Sequence, residues 1–117
     1  MWKGKIVLVP FPFDDFSSVK VRPALCLTEP IGAHLHILIA FISSQIPSDP
    51  LPSDLVLAKD APDFASTGLK VSSVLRLHRI ANIGVDFITQ ELGELQRQRM
   101  VTVAEKLIGL FQLRRYL

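Results

Sequence analysis

The chain has 117 residues, of which 49% are hydrophobic, and this predicts one domain that spans residues 1–117 and buries a sizeable core. Its 13 basic and 11 acidic residues leave a net charge of only +2, which excludes attraction of the whole molecule to nucleic acid and restricts any polyanion site to a local cluster. No apolar run reaches the ~18 residues of a membrane span and no segment resembles a secretory signal, so we expect a cytoplasmic protein without a membrane partner.

Five short apolar runs in the first part of the chain predict β-strands. Each is rich in β-branched or bulky residues and is bounded by Gly, Pro, Asp or Ser, which is typical of strands separated by turns. The second run contains Cys26, a lone cysteine that forms no internal disulfide and is expected to be a small buried side chain. The predicted strands are residues 6–11, 23–28, 35–42, 54–58 and 73–80.

The spacing of apolar residues changes after residue 85. Steps of three and four residues predict one face of an amphipathic helix, with a shorter helical turn before it at 88–92 and a break at Gly93. Strands followed by one helix predict a mainly β, α+β domain, but periodicity alone does not establish its topology. The predicted helical face consists of Met100, Val103, Ala104, Leu107, Ile108 and Phe111.

A polar insert between the first two predicted strands carries Lys20 and Arg22. Pro23 directs the residue before it towards extended geometry, so Arg22 is expected to project its guanidinium from the start of a strand, where it can act as a fixed anion clamp. Asp15 in the same insert is expected to brace Lys20 or Arg22 and to order the loop. On the residues alone, a surface salt bridge at the mouth of a hairpin is the alternative.

The third predicted strand ends in two hydroxyl residues, Ser43 and Ser44, followed by Gln45. Serine supplies one rotatable donor and Arg22 a permanently charged fork, and the two together suit a phosphodiester. The alternative is that both serines simply close the strand by bonding backbone groups.

Alternation along the fifth predicted strand places Arg76 and His78 on one face and two leucines on the other. His78 can exchange protons near pH 7, so it is a candidate acid or base if this face borders a binding cleft. The alternatives for both residues are contact with a phosphate backbone or a solvated face. His34 and His36 share a face but lack further ligands, so we expect no metal and no other cofactor.

These motifs resemble the PemK/MazF family of toxin ribonucleases. In both, an apolar strand is followed by Phe-Pro-Phe, here residues 11–13, by an acidic loop and by Lys-x-Arg-Pro-Ala-Leu, here residues 20–25. Residues 40–47 are similar to the family's second motif, with Ser43 where many members have threonine, and the resemblance extends to residues 68–83. It implies a small SH3-like antiparallel barrel of the CcdB/PemK type with a C-terminal α-helix.

The resemblance implies the toxin of a type II toxin-antitoxin system, a sequence-selective mRNA interferase. Family members cleave single-stranded RNA without a metal, by attack of the ribose 2′-hydroxyl on the adjacent phosphorus, and leave 2′,3′-cyclic phosphate and 5′-hydroxyl ends. They act as homodimers and are silenced by a cognate antitoxin, so both partners are expected here. The expected catalytic residues are Arg22, Ser43 and His78, with RNA contacts from Lys20, Ser44, Gln45, Arg76 and, by stacking on a base, Phe16.

Two other functions stay open. A related toxin with the same barrel, CcdB, binds DNA gyrase and cleaves nothing, since one fold supports different functions. A catalytically silent, RNA-binding regulatory barrel is the third option. It is suggested by Ser43 and by Ala81, which stands where some family members have arginine.

Overall fold

A computed structural model of the protein describes residues 1–10 and 20–117. Asp15 and Phe16, predicted to brace the loop and to stack on a base, lie outside the described residues. Within these residues lie six strands, one α-helix and three short 3₁₀ turns. The strands are β1 (Lys5–Pro10), β2 (Val21–Cys26), β3 (His36–Ser43), β4 (Asp54–Leu57), β5 (Ser73–Gly84) and β6 (Gln90–Glu94), the helix is α1 (Arg97–Phe111), and the 3₁₀ turns are Phe64–Thr67, Val85–Phe87 and Leu113–Tyr116.

The six strands of the described residues form one antiparallel sheet in the order β4-β5-β3-β2-β1-β6, curved into a half-barrel. The longest strand, β5, pairs with both β3 and β4. Ala40 of β3 pairs with Ile80 of β5, but Ile42 pairs with Leu75. A step of two residues in β3 therefore matches a step of five in β5, and the three extra residues form a bulge.

The bulge changes which side of the sheet the odd-numbered residues of β5 face. Side chains alternate along a strand, so an odd number of extra residues moves those that follow to the opposite face. Leu75, at the start of the bulge, and Leu77 within it pack with Ile6 of β1 in one core cluster, here called the helix-side cluster because α1 packs on it. After the bulge, Ala81 packs against a second core cluster that contains the next residue of β1, Val7. Alternation in the sequence does not indicate this reversal.

The five predicted strands and the C-terminal helix are confirmed, with ends that differ by a few residues. The helical turn predicted at 88–92 is wrong, because Gln90–Glu94 form β6 and pair with β1. The backbone N–H of Thr89 already donates to the carbonyl of Leu8, 81 residues earlier in the chain. Because this partner strand is so distant in sequence, no local pattern indicates β6.

The helix α1 packs on the helix-side cluster through a narrower face than predicted. Val103 is 2% exposed, and Met100 and Leu107 are half-buried against the same cluster. Ala104 and Phe111 were predicted to share this face but are exposed, Phe111 by 54%. No helix in the described part of the chain has the length and apolar character to cross a membrane.

An ion pair fastens α1 to the residue before the first 3₁₀ turn. Arg99 donates to Asp63 through two nitrogens, Nε to Oδ2 at 2.8 Å and Nη2 to Oδ1 at 3.4 Å. These hydrogen bonds and the positive charge of Arg99 hold the pKa of Asp63 below its usual value. A carboxyl group whose pKa falls on folding stabilises the folded state above its unfolded pKa, and this contribution is lost as the pH falls through the folded pKa.

We expect Asp63→Asn to lower the free energy of unfolding by about 0.5–1 kcal/mol at pH 7, the range for a partly exposed ion pair. The difference from wild type should shrink as the pH falls below about 4, because wild-type Asp63 then becomes protonated and also loses its charge. Urea unfolding of both proteins at a series of pH values from 7 down to 2.5 measures this difference. A destabilisation that stays constant over that range would contradict the role of the Asp63 charge.

Candidate functional site

A cleft of about 530 Å³ lies between β2, β3, β5, β6 and residues 68–71. Within the described residues, no Asp or Glu lines this cleft. The cleft therefore carries a local cluster of positive charge, although the net charge of the whole chain is close to zero, and it suits an anionic ligand. The basic side chains that line it are Arg22, Lys70, Arg76 and Arg79.

Arg22 and Ser43 lie on neighbouring strands at the same end of the sheet. In the ladder between β2 and β3, Ala24 pairs with Phe41. Arg22 comes two residues before Ala24 and Ser43 two residues after Phe41, so the antiparallel register brings them opposite each other. Both side chains are half-buried and line the cleft. The predicted position of Arg22 at the start of a strand is confirmed.

The hydroxyl of Ser43 accepts a hydrogen bond from the backbone N–H of Gln45, with an N···Oγ distance of 3.0 Å. This is the strand-closing bond that the sequence left as an alternative. It uses Ser43 Oγ as an acceptor, so the hydroxyl proton remains for donation to a ligand. Ser44 and Gln45 are exposed and line the same cleft.

Arg76 reaches the cleft from β5 and is held by Asp54 of β4. The two residues pair in the ladder between these strands. Nε of Arg76 donates to Oδ1 of Asp54 at 3.0 Å. The side chain of Asp54 is 0% exposed, whereas that of Arg76 is 23% exposed. The cation therefore faces the cleft and its counter-ion lies beneath the surface.

His78 does not line this cleft. It lines a separate depression beside α1, together with Leu51, Thr102 and Lys106. The bulge in β5 interrupts the alternation on which the expected common face of Arg76 and His78 rested, and the two residues line different depressions. The structure therefore does not bring the predicted acid or base to Arg22 and Ser43.

Lys70 and Arg79 line the cleft and were not identified from the sequence. Strict alternation places Arg79 on the same face as the buried Leu77, which gives no reason to expect it in a cleft. Lys70 belongs to a loop, where no periodic pattern indicates a direction. The only signal that pointed towards them was the number of basic residues between 70 and 79.

Two glycines, Gly68 and Gly93, allow the loop that carries Lys70 to lie directly against β6. Gly68 has a φ of +73°, and a β-carbon there would meet the backbone of Leu92 in β6, with the carbonyl carbon 2.6 Å away. A β-carbon at Gly93 would in turn lie 2.6 Å from the carbonyl carbon of Thr67. The two backbones are in direct contact, which positions the loop against β6.

The other candidates among the described residues lie outside the lining of the cleft. Lys20 is exposed just before β2. The ring centroids of His34 and His36 are 6.2 Å apart, and only His36 belongs to β3. Within residues 1–10 and 20–117, no group of three or more His, Cys, Asp or Glu side chains is placed to hold a metal ion.

One family model matches the chain, and it covers residues 3–111. Its description is "PemK-like, MazF-like toxin of type II toxin-antitoxin system". No curated protein matches the chain.

Solved structures with the same fold include three mycobacterial proteins. The Mycobacterium tuberculosis toxin MazF-mt6 is 20% identical, with a TM-score of 0.70 over 92% of this chain and 96% of that chain. An endoribonuclease in complex with its cognate antitoxin is 13% identical, with a TM-score of 0.68 over 97% and 96% of the two chains. A further endoribonuclease is 13% identical, with a TM-score of 0.65 over 96% and 91%. The predicted mainly β barrel with a C-terminal helix is confirmed by this likeness.

Proposed function

Since the chain belongs to the PemK-like, MazF-like toxins of type II toxin-antitoxin systems, we propose that it is an endoribonuclease that cleaves single-stranded mRNA. The observation that carries this proposal is the composition of the cleft. Arg22 and Ser43 line it together with three further basic side chains, and no acidic residue of the described chain lines it. A row of cations along an open groove is how proteins bind the backbone of a single strand.

The proposed reaction uses the nucleophile of the RNA itself. The ribose 2′-oxygen attacks the adjacent phosphorus and the bond from phosphorus to the 5′-oxygen breaks. The 2′-hydroxyl gives its proton to solvent, and the leaving 5′-oxygen takes a proton from solvent. The products are a 2′,3′-cyclic phosphate and a 5′-hydroxyl. Negative charge builds up on the phosphorane oxygens in the transition state, and preorganised donors stabilise it there.

Arg22 and Ser43 supply such donors in this proposal. Arg22 is permanently charged, and its planar guanidinium can bind two phosphate oxygens at once. Ser43 adds one neutral O–H donor from the neighbouring strand. We assign no proton transfer to His78, because it lies outside the cleft. RNA contacts along the cleft are assigned to Ser44, Gln45, Lys70, Arg76 and Arg79.

The proposed partners follow from the same premise. One protein of similar structure is an endoribonuclease in complex with its cognate antitoxin, which supports an antitoxin as the partner of this chain. An antitoxin segment with acidic side chains could occupy the basic cleft and exclude RNA from it. We extend the proposal to a cytoplasmic homodimer, as the family resemblance implies.

Incubation of the purified protein with a long unstructured RNA in excess EDTA tests the proposal, with the product ends mapped. We expect cuts at a short recurring sequence, with cyclic phosphate and 5′-hydroxyl ends. RNA that stays intact across many sequences would refute it, and inhibition of DNA gyrase by the same preparation would then identify a toxin of the CcdB kind. Cleavage that requires an added metal would contradict the proposed chemistry.

A further inference from the structure

Asp54 is a buried acid beside the basic cleft but not part of its lining. It is the first residue of β4 and is 5% exposed. Burial of a carboxylate is costly unless the charge is paired and hydrogen-bonded. The surroundings of Asp54 meet both requirements, and they connect it to a single residue of the cleft, Arg76.

Both carboxylate oxygens of Asp54 accept hydrogen bonds. Oδ1 accepts from Nε of Arg76 at 3.0 Å, and Oδ2 accepts from the backbone N–H of Leu51 at 2.8 Å. The backbone N–H of Asp54 also donates to the carbonyl of Leu51 at 2.9 Å. The carboxylate is therefore fixed from both sides and cannot rotate without breaking a bond.

This arrangement determines the direction of the Arg76 guanidinium. Nε donates to Asp54, whereas Nη1 and Nη2 donate no hydrogen bond among the described residues. These two nitrogens carry four N–H groups in one plane, a geometry that matches two oxygens of a phosphate. Because Arg76 lines the cleft, this donor set faces the place where an anion would bind.

The position of Arg76 in the sheet separates it from Arg22. One strand, β3, lies between β2 and β5, so the two strands are about 10 Å apart. With this separation, Arg22 and Arg76 are better placed to bind two different phosphates of one RNA molecule than to bind the same phosphate.

We propose that Asp54 is a positioning residue, which holds Arg76 so that Nη1 and Nη2 bind an RNA phosphate other than the one that is cleaved. This inference rests on the proposed function. It makes a prediction with an unexpected sign, because removing a negative charge next to the cleft would by itself attract RNA more strongly. If Asp54 positions Arg76, its removal weakens RNA binding instead.

The variants Asp54→Asn, Arg76→Gln and the double variant test this inference. Asn keeps the shape of Asp and can still accept from Leu51, but it loses the charge that holds Arg76. We expect Asp54→Asn and Arg76→Gln each to raise KM for RNA about tenfold, the loss for one hydrogen bond to a charged group. The double variant should be no worse than Arg76→Gln alone, since residues that act through one another are not additive.

A purely structural role of Asp54 would give a different result. Partial unfolding lowers the amount of active enzyme and hence the apparent kcat, but it does not change KM. The matched control is Asp63→Asn, which breaks an ion pair with Arg99 outside the cleft and should leave KM unchanged. If Asp54→Asn does not fold, Arg76→Lys serves instead, because it keeps the charge and loses the planar fork. Its KM should be close to that of Arg76→Gln.

Binding of a single-stranded RNA pool with 2′-O-methyl groups, measured by fluorescence anisotropy, separates this inference from the proposed function. Wild type that binds this pool without cleaving ordinary RNA refutes the ribonuclease, and a Kd raised in Asp54→Asn still supports the positioning role. If wild type cleaves RNA, two results overturn the positioning role alone. One is an unchanged KM in Asp54→Asn or Arg76→Lys, and the other is additive losses in the double variant. Wild type that neither binds nor cleaves overturns both.

Discussion

Replacing Arg22 with alanine is expected to lower the rate of RNA cleavage by about 100- to 1000-fold, the usual loss for one preorganised donor to a transition state. Arg22 lines the cleft from the second residue of β2, on the strand next to Ser43. The loss should fall mainly on kcat, because charge on the phosphorane oxygens develops only in the transition state. Steady-state cleavage of a single-stranded RNA with a mapped cut site, in excess EDTA, measures it.

Two further variants make this result specific. Arg97→Ala removes the same side chain from the first residue of α1, outside the cleft, and should cleave RNA as wild type does. Arg22→Lys keeps the positive charge but loses the bidentate fork, so it should recover only part of the rate. If folded Arg22→Ala protein cleaved RNA at the wild-type rate, Arg22 would have no part in the chemistry. Thermal unfolding of each variant verifies that it is folded.

Replacing Gly68 with alanine is expected to lower the free energy of unfolding by about 3 kcal/mol. A left-handed backbone costs a residue with a β-carbon about 1–2 kcal/mol, and overpacking adds a further 1–3 kcal/mol. Both apply here, since Gly68 has a φ of +73° and its β-carbon would meet the backbone of Leu92. Glu91 and Gly93, on either side of Leu92 in β6, pair with β1, so the backbone of Leu92 cannot move without disturbing this pairing. Urea unfolding measures the loss.

Gly32 is the matched control for this prediction. Its φ of +75° is nearly the same, but nothing lies within 4 Å of the β-carbon that alanine would add. Gly32→Ala should therefore cost only the backbone contribution, about 1–2 kcal/mol. An equal loss of stability in the two variants would show that the close contact between residue 68 and β6 contributes nothing. Gly68→Ala should also reduce RNA binding, because Gly68 itself lines the cleft.

The elements that depend on neighbouring residues could be predicted from the sequence. Apolar runs bounded by turn residues predicted the strands, three- and four-residue spacing predicted α1, and Pro23 predicted the extended start of β2 that carries Arg22. Cys26 was predicted to be buried, and it is fully buried, which raises the pKa of its thiol to about 11. The family resemblance is also local, because its clearest motif is one short run of residues around Arg22.

Which side chains share the cleft depends on contacts between distant parts of the chain and could not be predicted from local patterns. The pairing of β5 with β3 contains a bulge, and along this segment Arg76 and Arg79 line the cleft whereas His78 lines a separate depression. The strand β6 exists because β1 lies beside it, and β6 in turn supports the loop of Lys70. Local periodicity reports only on residues a few positions apart, whereas register and backbone contact depend on partners far away in the chain.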